Sequence, residues 1–557
     1  MKASDAFFAT LLRWKTEYVF GCPGTTEAAL LDRLVEREYV KFLVTTHEST
    51  AVAMADGYSR VSGKPGIALL HTNVGVANGT GMLHNAYMAG APVVVLAGIK
   101  DTRIESHGAF TTAQDIRETV RQYTKWNWTV MRPDAIPEDI NRAIRIATAP
   151  PWGPTFLAIP EDYFSEEIEA EIPDPAYYAI HRGARPAQAA VEQAVRILLS
   201  SECPVILVGS EVNKDDGFEE VARLAEITGA PVFCENRQGL DFNSFPTDHP
   251  QFVGPYSPRH PLVQDADVIL AIGVRLFVEF SPPSFPQIPR RAKLIHIHID
   301  PEEIGRIYPV TVPMAADSAA AAADIASRLS EAKTAQYDLA AANRRQDVVA
   351  ARAAAQEALA QRLEAVRESR PMKATLLGAT IAKLVDDDTI VISDSVTSAA
   401  ALTDYMPRTT RYSYYSTSSG GCLGWTGAAL GAKLAAPDKK VLCFVGDGVF
   451  QFGIQALFTC AKYDIPVTWV VANNGMFAAV KAGLLRLRGL AAAKGVFPGS
   501  DISGPNYAKI AEGFGIKGIR VAEPCDLEAV LRDAMARQAP VVVDVVIDQQ
   551  DVGPVDR

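Results

Sequence analysis

Short apolar runs alternate along the chain with longer stretches of helical periodicity, and Gly and Pro separate them. In the first part, residues 41–45, 67–71 and 93–97 read as buried strands and 50–60 as a helix, and the Pro-rich stretches 150–154 and 173–175 mark its end. In a second part, residues 205–208, 268–272 and 294–299 are the clearest strands. In a third, 390–393, 441–445, 467–471 and 541–547 stand out. Continuous apolar strands alternating with amphipathic helices predict α/β architecture, with doubly wound parallel sheets. Between about 315 and 366 the sequence turns Ala-rich, and because Ala is the strongest helix former this stretch is expected to be a helical connector. The expected organisation is a first domain over 1–175, a central Rossmann-like domain over 188–330, a helical connector over 331–370 and a third domain over 371–557. No internal repeat is visible in the sequence.

At 557 residues the chain is too long for one core, which agrees with three domains. The net charge of −11 is spread along the chain without a basic block, so neither nucleic acid nor an anionic membrane is expected as a partner. Seven cysteines without a CxxC pair argue against a disulfide framework or structural zinc and point to a reducing cytoplasm. The start turns polar again by Arg13, and no apolar run reaches the length of a membrane span. A cytoplasmic protein acting on a small molecule is expected. The second part lacks a GxGxxG after a strand, which leaves no dinucleotide signal there.

The strongest chemical signal lies in the third part. Gly446-Asp447-Gly448 ends one apolar strand, and Asn473-Asn474-Gly475-Met476 ends the next, one strand–helix–strand unit later. Both loops are therefore expected at the carboxyl edge of neighbouring parallel strands, where α/β sheets bind ligands. Asp447 and Asn474 offer hard oxygen ligands. A backbone carbonyl at Met476 would add a third, and phosphate oxygens with water would complete the octahedron magnesium requires. Gly446 and Gly448 let the backbone approach a phosphate at a helix start. Either motif alone is an ordinary turn; the pair at this spacing, each after a buried strand, points to a site.

This pair resembles the cofactor signature of the thiamine-diphosphate enzymes of the pyruvate decarboxylase and acetolactate synthase superfamily. The resemblance extends over nearly the whole chain, through Phe20-Gly21-Cys22-Pro23-Gly24, His47-Glu48, Ala55-Asp56-Gly57-Tyr58 and Gly420-Gly421-Cys422-Leu423-Gly424. It is nearest to the benzoylformate decarboxylases, echoed by Leu70-His71-Thr72-Asn73-Val74-Gly75 and by the segment 447–471. It implies pyrimidine-binding, central and diphosphate-binding domains, with thiamine diphosphate and Mg2+ as cofactors. Glu48 would bond N1′ of the aminopyrimidine and promote the tautomer whose N4′ takes the C2 proton. Leu423 would prop the cofactor into its bent shape, and the Gly421 carbonyl would accept from the 4′-amino group. Asp394, Thr397 and Ser398 resemble the loop contacting the diphosphate, against the plainer view of a helix N-cap. The Phe477 amide would face the same group. Thr25 stands where a serine meets the substrate carboxylate, and His71 where a histidine relays protons.

The resemblance implies non-oxidative decarboxylation of a 2-keto acid through an enamine, with the same intermediate open to carboligation onto a second carbonyl. Thr111-Thr112-Ala113 replaces the Phe-Gln-Glu of acetolactate synthases, and only about ten residues follow Ile547, where acyl-CoA lyases extend into a lid. Both rivals rank lower for those reasons. A silent scaffold subunit is disfavoured by the joint presence of Glu48, Asp447 and Asn474. Two departures from the benzoylformate decarboxylases stand out: no histidine occurs over 273–286, and Gly483 replaces a bulky pocket aromatic, enlarging the expected site. By analogy with the family the protein is a homo-oligomer, a dimer or a dimer of dimers, with Glu48 and Asp447 of one site drawn from different chains.

Overall fold

The computed structural model describes residues 1–180, 182–235, 242–279, 282–283, 285–418 and 424–551. Three six-stranded parallel sheets with flanking helices form the molecule. The first holds β1 (Tyr18–Cys22), β2 (Lys41–Val44), β3 (Gly66–His71), β4 (Val93–Ile99), β5 (Trp126–Thr129) and β6 (Thr155–Pro160), in the order β2-β1-β3-β4-β6-β5. The second holds β7 (Pro204–Val208), β8 (Val232–Cys234), β9 (Phe252–Pro255), β10 (Val268–Ile272), β11 (Lys293–His298) and β12 (Val312–Ala315), in the order β12-β11-β10-β7-β8-β9. The third holds β13 (Thr389–Asp394), β14 (Tyr414–Ser416), β15 (Lys440–Gly446), β16 (Thr468–Asn473), β17 (Lys517–Val521) and β18 (Val541–Val546), in the order β14-β13-β15-β16-β18-β17. The α/β class is as the apolar runs predict, since strands covered by helices on both faces must be apolar throughout.

The first and third sheets share one strand order, each strand displaced by the same steps in sequence. The central sheet follows the Rossmann order instead. Helices Glu48–Ser62 and Gly427–Ala435 lie face to face and fuse the cores of the first and third sheets. Ala51–Ala55 and Ala428–Ala432 share one apolar cluster with Trp425 and Phe450.

One expectation changes and another is refined. Residues 41–44 are not a fully buried strand: β2 closes the edge of its sheet, so Lys41 is exposed and only Leu43 is buried. The Ala-rich stretch also divides in two. Helix Ser318–Ala332 packs Ala321, Ala322, Ile325, Ala326 and Leu329 into the central core. Helix Ala335–Glu364, by contrast, buries only Tyr337, Ala341 and Val348 along 30 residues. Among the described residues no helix is long and apolar enough to cross a membrane.

Candidate active site

One group of candidate residues gathers at the carboxyl edge of the first sheet. β2 ends at Val44, and the chain re-enters a helix at Glu48, whose N-cap His47 accepts from the Ser49 amide through Nδ1. Helix Thr72–Ala89 leaves β3 and passes Glu48. Asn78 Nδ2 donates to Glu48 Oε2 at 3.0 Å, and Gly75 lies so close that a Cβ there would sit 3.0 Å from Glu48 Oε1. Burial and the neighbouring Glu48 carboxylate push the Cys22 thiol up to about 11, so it stays protonated beside the acid.

His71, the last residue of β3, is fixed from below. Its Nδ1 lies 3.0 Å from Thr26 Oγ1 and 3.1 Å from Glu27 Oε2. The Thr26 hydroxyl donates to Glu27 Oε1 at 2.5 Å, and the Gly24 amide donates to Glu27 Oε2 at 2.8 Å. Both neighbours of Nδ1 are therefore acceptors, which assigns the ring proton to Nδ1 and leaves Nε2 to exchange protons. Glu27 is 0% exposed. Gly24 is required here, because a Cβ would meet the His71 ring at 2.3 Å. Thr25, expected at a substrate carboxylate, is exposed at the head of this turn, while its neighbour Thr26 is buried on the imidazole.

The second group lies at the carboxyl edge of the third sheet, where β13, β15 and β16 are neighbours and Gly446 pairs with Ala472. Asp447 is 3% exposed and accepts the Gly475 amide through Oδ2 at 2.7 Å; Asn474 Oδ1 accepts the Met476 amide at 3.0 Å. Gly475 turns the loop at φ +63°, which glycine adopts without strain. Burial pushes the Asp447 carboxyl up to about 6. A Cβ on Gly446 would meet open space, whereas one on Gly448 would meet the Phe477 ring at 2.5 Å. Gly448 thus accommodates Phe477, which also stacks on Phe452 with centroids 6.2 Å apart. The Met476 carbonyl accepts the Ala478 amide at 2.9 Å and keeps its second lone pair.

Two residues are placed differently from expectation. The Phe477 amide, expected to face a phosphate, donates to the Ser500 carbonyl at 2.7 Å, because the 497–502 loop folds back along the metal-type turn. Asp394 is fully buried and accepts the Trp425 amide at 2.7 Å through Oδ2, holding the chain beyond residue 423. Thr397 is half-buried, and Ser398 caps helix Ala399–Thr403 without a side-chain capping bond, so its hydroxyl is not used in the way the N-cap view required. Gly421 and Leu423 lie outside the described residues.

Three family models match the chain in order. Residues 1–118 match the thiamine pyrophosphate enzyme N-terminal TPP binding domain, 191–325 the central domain, and 394–545 the C-terminal TPP binding domain. The chain belongs to the thiamine pyrophosphate enzyme family. A benzoylformate decarboxylase from Pseudomonas aeruginosa is 28% identical over 97% of this chain and 98% of its own. A sulfoacetaldehyde acetyltransferase from Castellaniella defragrans is 29% identical over 97% of this chain and 91% of its own. The solved thiamine diphosphate-dependent 4-hydroxybenzoylformate decarboxylase of Rhodococcus jostii RHA1 superposes with a TM-score of 0.84 at 26% identity, covering 99% of this chain and 100% of that one. This thiamine pyrophosphate enzyme thus sits among both decarboxylases and acyl-transferring enzymes.

The residues of this thiamine pyrophosphate enzyme fit a diphosphate–divalent cation pair. Asp447 is a buried carboxyl that forms no ion pair among the described residues, which is costly unless a cation joins it. Asn474 and the Met476 carbonyl add neutral oxygens of the kind magnesium takes, and the space over Gly446 suits a phosphate. No described hydrogen bond or ion pair joins Glu48 to Asp447 or Asn474 within one chain. Thr26, Glu27 and Asn78 were not anticipated. Glu27 follows a Pro-Gly turn in a short helix, where an acid ordinarily points to solvent, and only the fold of β3 and β4 over it reveals its burial.

Proposed function

We propose that this enzyme uses thiamine diphosphate and Mg2+ to decarboxylate a 2-keto acid without oxidation. The reading rests on one observation above all. A carboxylate at Glu48 and a proton-carrying imidazole at His71, fixed by Glu27, stand at one sheet edge, the acid–base pair that such a reaction asks of a protein. When bound, thiamine diphosphate supplies an electron sink for the pair released as CO2 leaves. Asp447, Asn474 and the Met476 carbonyl would hold the metal, with Thr397, Ser398 and Gly446 lining the diphosphate side. Glu48 holds or gives a proton at the aminopyrimidine N1′, steadied by Asn78 at its Oε2. His71 presents Nε2 to the substrate, and Thr25 meets its carboxylate. A proton delivered there ends the reaction as an aldehyde; a second carbonyl admitted in its place turns the same site into a carboligase. Gly483, with nothing within 4 Å of where a Cβ would be, leaves room for a bulky acyl group or an acceptor.

The site is completed between copies of the chain, the Glu48 cluster of one meeting the Asp447 cluster of another. The exposed apolar residues Val480, Leu487, Leu490 and Val496, close after the Asn474 loop, support such an interface. Incubation with aromatic and branched 2-keto acids, thiamine diphosphate and Mg2+ tests the reading by CO2 release. Aldehyde with stoichiometric CO2 is expected; no CO2 from any such acid, alone or with an aldehyde acceptor, contradicts it.

A further inference from the structure

Strand β18 reads Val-Val-Val-Asp-Val-Val, and the acid within it is wholly buried: Asp544 is 0% exposed. A strand covered on both faces is otherwise apolar throughout, and a carboxylate there is costly unless it is paired and hydrogen-bonded. Among the described residues three donors meet it. Asn473 Nδ2 donates to Oδ1 at 2.7 Å, while Arg520 Nη1 at 2.8 Å and the Tyr507 amide at 3.1 Å reach Oδ2. Arg520 lies opposite Asp544 on β17, with its side chain 40% exposed. Replacing a buried ion pair by packed apolar side chains is often neutral or stabilising, so stability alone does not account for the acid. The other two donors lead towards Asp447.

The Asn473 arm is short. An ionised carboxylate only accepts, so it fixes the Asn473 amide with Nδ2 towards Asp544 and Oδ1 away from it. Oδ1 accepts the Gly475 amide at 3.2 Å, and the same N–H donates to Asp447 Oδ2 at 2.7 Å. A reversed amide would set its NH2 against that N–H, donor against donor. The Tyr507 arm runs round the other side. Its hydroxyl accepts Gln451 Nε2 at 2.7 Å, and its ring meets Phe450 edge-on with centroids 5.6 Å apart. Gln451 and Phe450 belong to helix Asp447–Phe452, so both arms close on the residue that starts it. Every one of these side chains lies in the third domain of a single chain, with Asn474 and the Met476 carbonyl.

We propose that Asp544 is a positioning residue for the metal turn: it holds Asn473 in one amide orientation, and Asn473 in turn holds the Gly475 N–H on Asp447. The carboxylate of Asp447 and the turn that carries Asn474 and Met476 are thereby set relative to each other before any cation arrives. The inference rests on the function given above, in which Asp447, Asn474 and the Met476 carbonyl hold Mg2+. Partners one step behind a metal's ligands typically change its affinity by about 10–100-fold when removed.

Asp544→Asn keeps the shape but turns an NH2 towards one of the donors. The Mg2+ concentration that half-saturates thiamine diphosphate binding, read by calorimetry, is expected to rise about 10–100-fold. Asn473→Ala cuts the chain in the middle and is expected to raise it likewise. Asp544→Asn/Asn473→Asp reverses the bond, since the amide at 544 donates to the carboxylate at 473, which still accepts the Gly475 amide; most of the loss is expected to be recovered. Val543→Ala, buried on the opposite face of the strand, is expected to lower the melting temperature and keep the wild-type Mg2+ requirement. Hydrogen–deuterium exchange of the metal-free protein over 473–478 is expected to quicken in both single variants. A wild-type Mg2+ requirement or wild-type exchange in Asp544→Asn, or in Asn473→Ala should the former not fold, overturns the inference. So does an equal rise in Val543→Ala, or a double variant no better than Asp544→Asn. Wild-type protein that binds thiamine diphosphate without Mg2+, or not at all, overturns the reading of the metal site, and this inference with it.

Discussion

Glu48 and Glu27 are two carboxylates at one sheet edge with different tasks, set by what surrounds them. Glu48 is half-buried with one amide partner at 3.0 Å, free to exchange a proton with a ligand. Glu27 has both oxygens occupied and serves to orient His71. Glu48→Gln keeps the shape and removes the acid, so C2-proton exchange and turnover should fall by about 10²–10⁴-fold, with cofactor binding retained in a calorimetric assay. Glu27→Gln leaves an amide where His71 needs an acceptor. Turnover should fall about 10–100-fold, measured as CO2 release, with a smaller effect on cofactor binding. Of these two residues only Glu48 is singled out in the sequence, and there by the resemblance of His47-Glu48 and its companion motifs to the family, since local pattern alone reads it as a helix-start acid. Glu27 is buried by β3 and β4, dozens of residues away, and no local pattern marks it. Asp394 shows the reverse: its place after a strand predicted a ligand contact, and a tertiary partner, the Trp425 amide, claims one of its oxygens.

Among elements, the β15 and β16 loops were the most legible, because adjacent parallel strands must deliver consecutive loops to one edge. The tightness of the second loop depends on Gly475 at φ +63°. Gly475→Ala forces a Cβ into that left-handed conformation against Ser503 at 3.1 Å, and should cost about 1–2 kcal/mol in denaturant titration while weakening Mg2+-dependent cofactor binding. Edge status was not legible: residues 41–44 carry an apolar run, but strand order, which local pattern does not encode, leaves β2 half-exposed. The Ala-rich stretch divides for a related reason. Alanine predicts helix for both of its halves, but only packing decides that Ser318–Ala332 belongs to the central core.

Across the whole molecule, the first and third sheets repeat one strand order without visible sequence repetition, since a parallel sheet constrains the pattern of apolar runs and leaves identities free. The central sheet supports them, and its stability depends on pH through Asp215. Burial and the adjacent Glu211 carboxylate push Asp215 up to about 7, while it accepts the Ser318 amide at 2.8 Å. A folded-state value above the ordinary one of about 4 means that the folded form holds the extra proton between these limits. Stability from this group is therefore full below about pH 4 and declines as pH rises to about 7. Asp215→Asn should match wild type in melting temperature near pH 4 and exceed it by a margin that grows up to about pH 7 and holds at pH 8; a constant difference across that range would contradict the assignment.

We propose that Asp447 and Asn474 anchor thiamine diphosphate through a divalent ion. Calorimetric titration of thiamine diphosphate into the purified protein tests this most directly. Saturable binding is predicted with Mg2+ present, lost when the metal is chelated and lost in Asp447→Ala. Absence of saturable binding with Mg2+, or undiminished binding in Asp447→Ala, would contradict it.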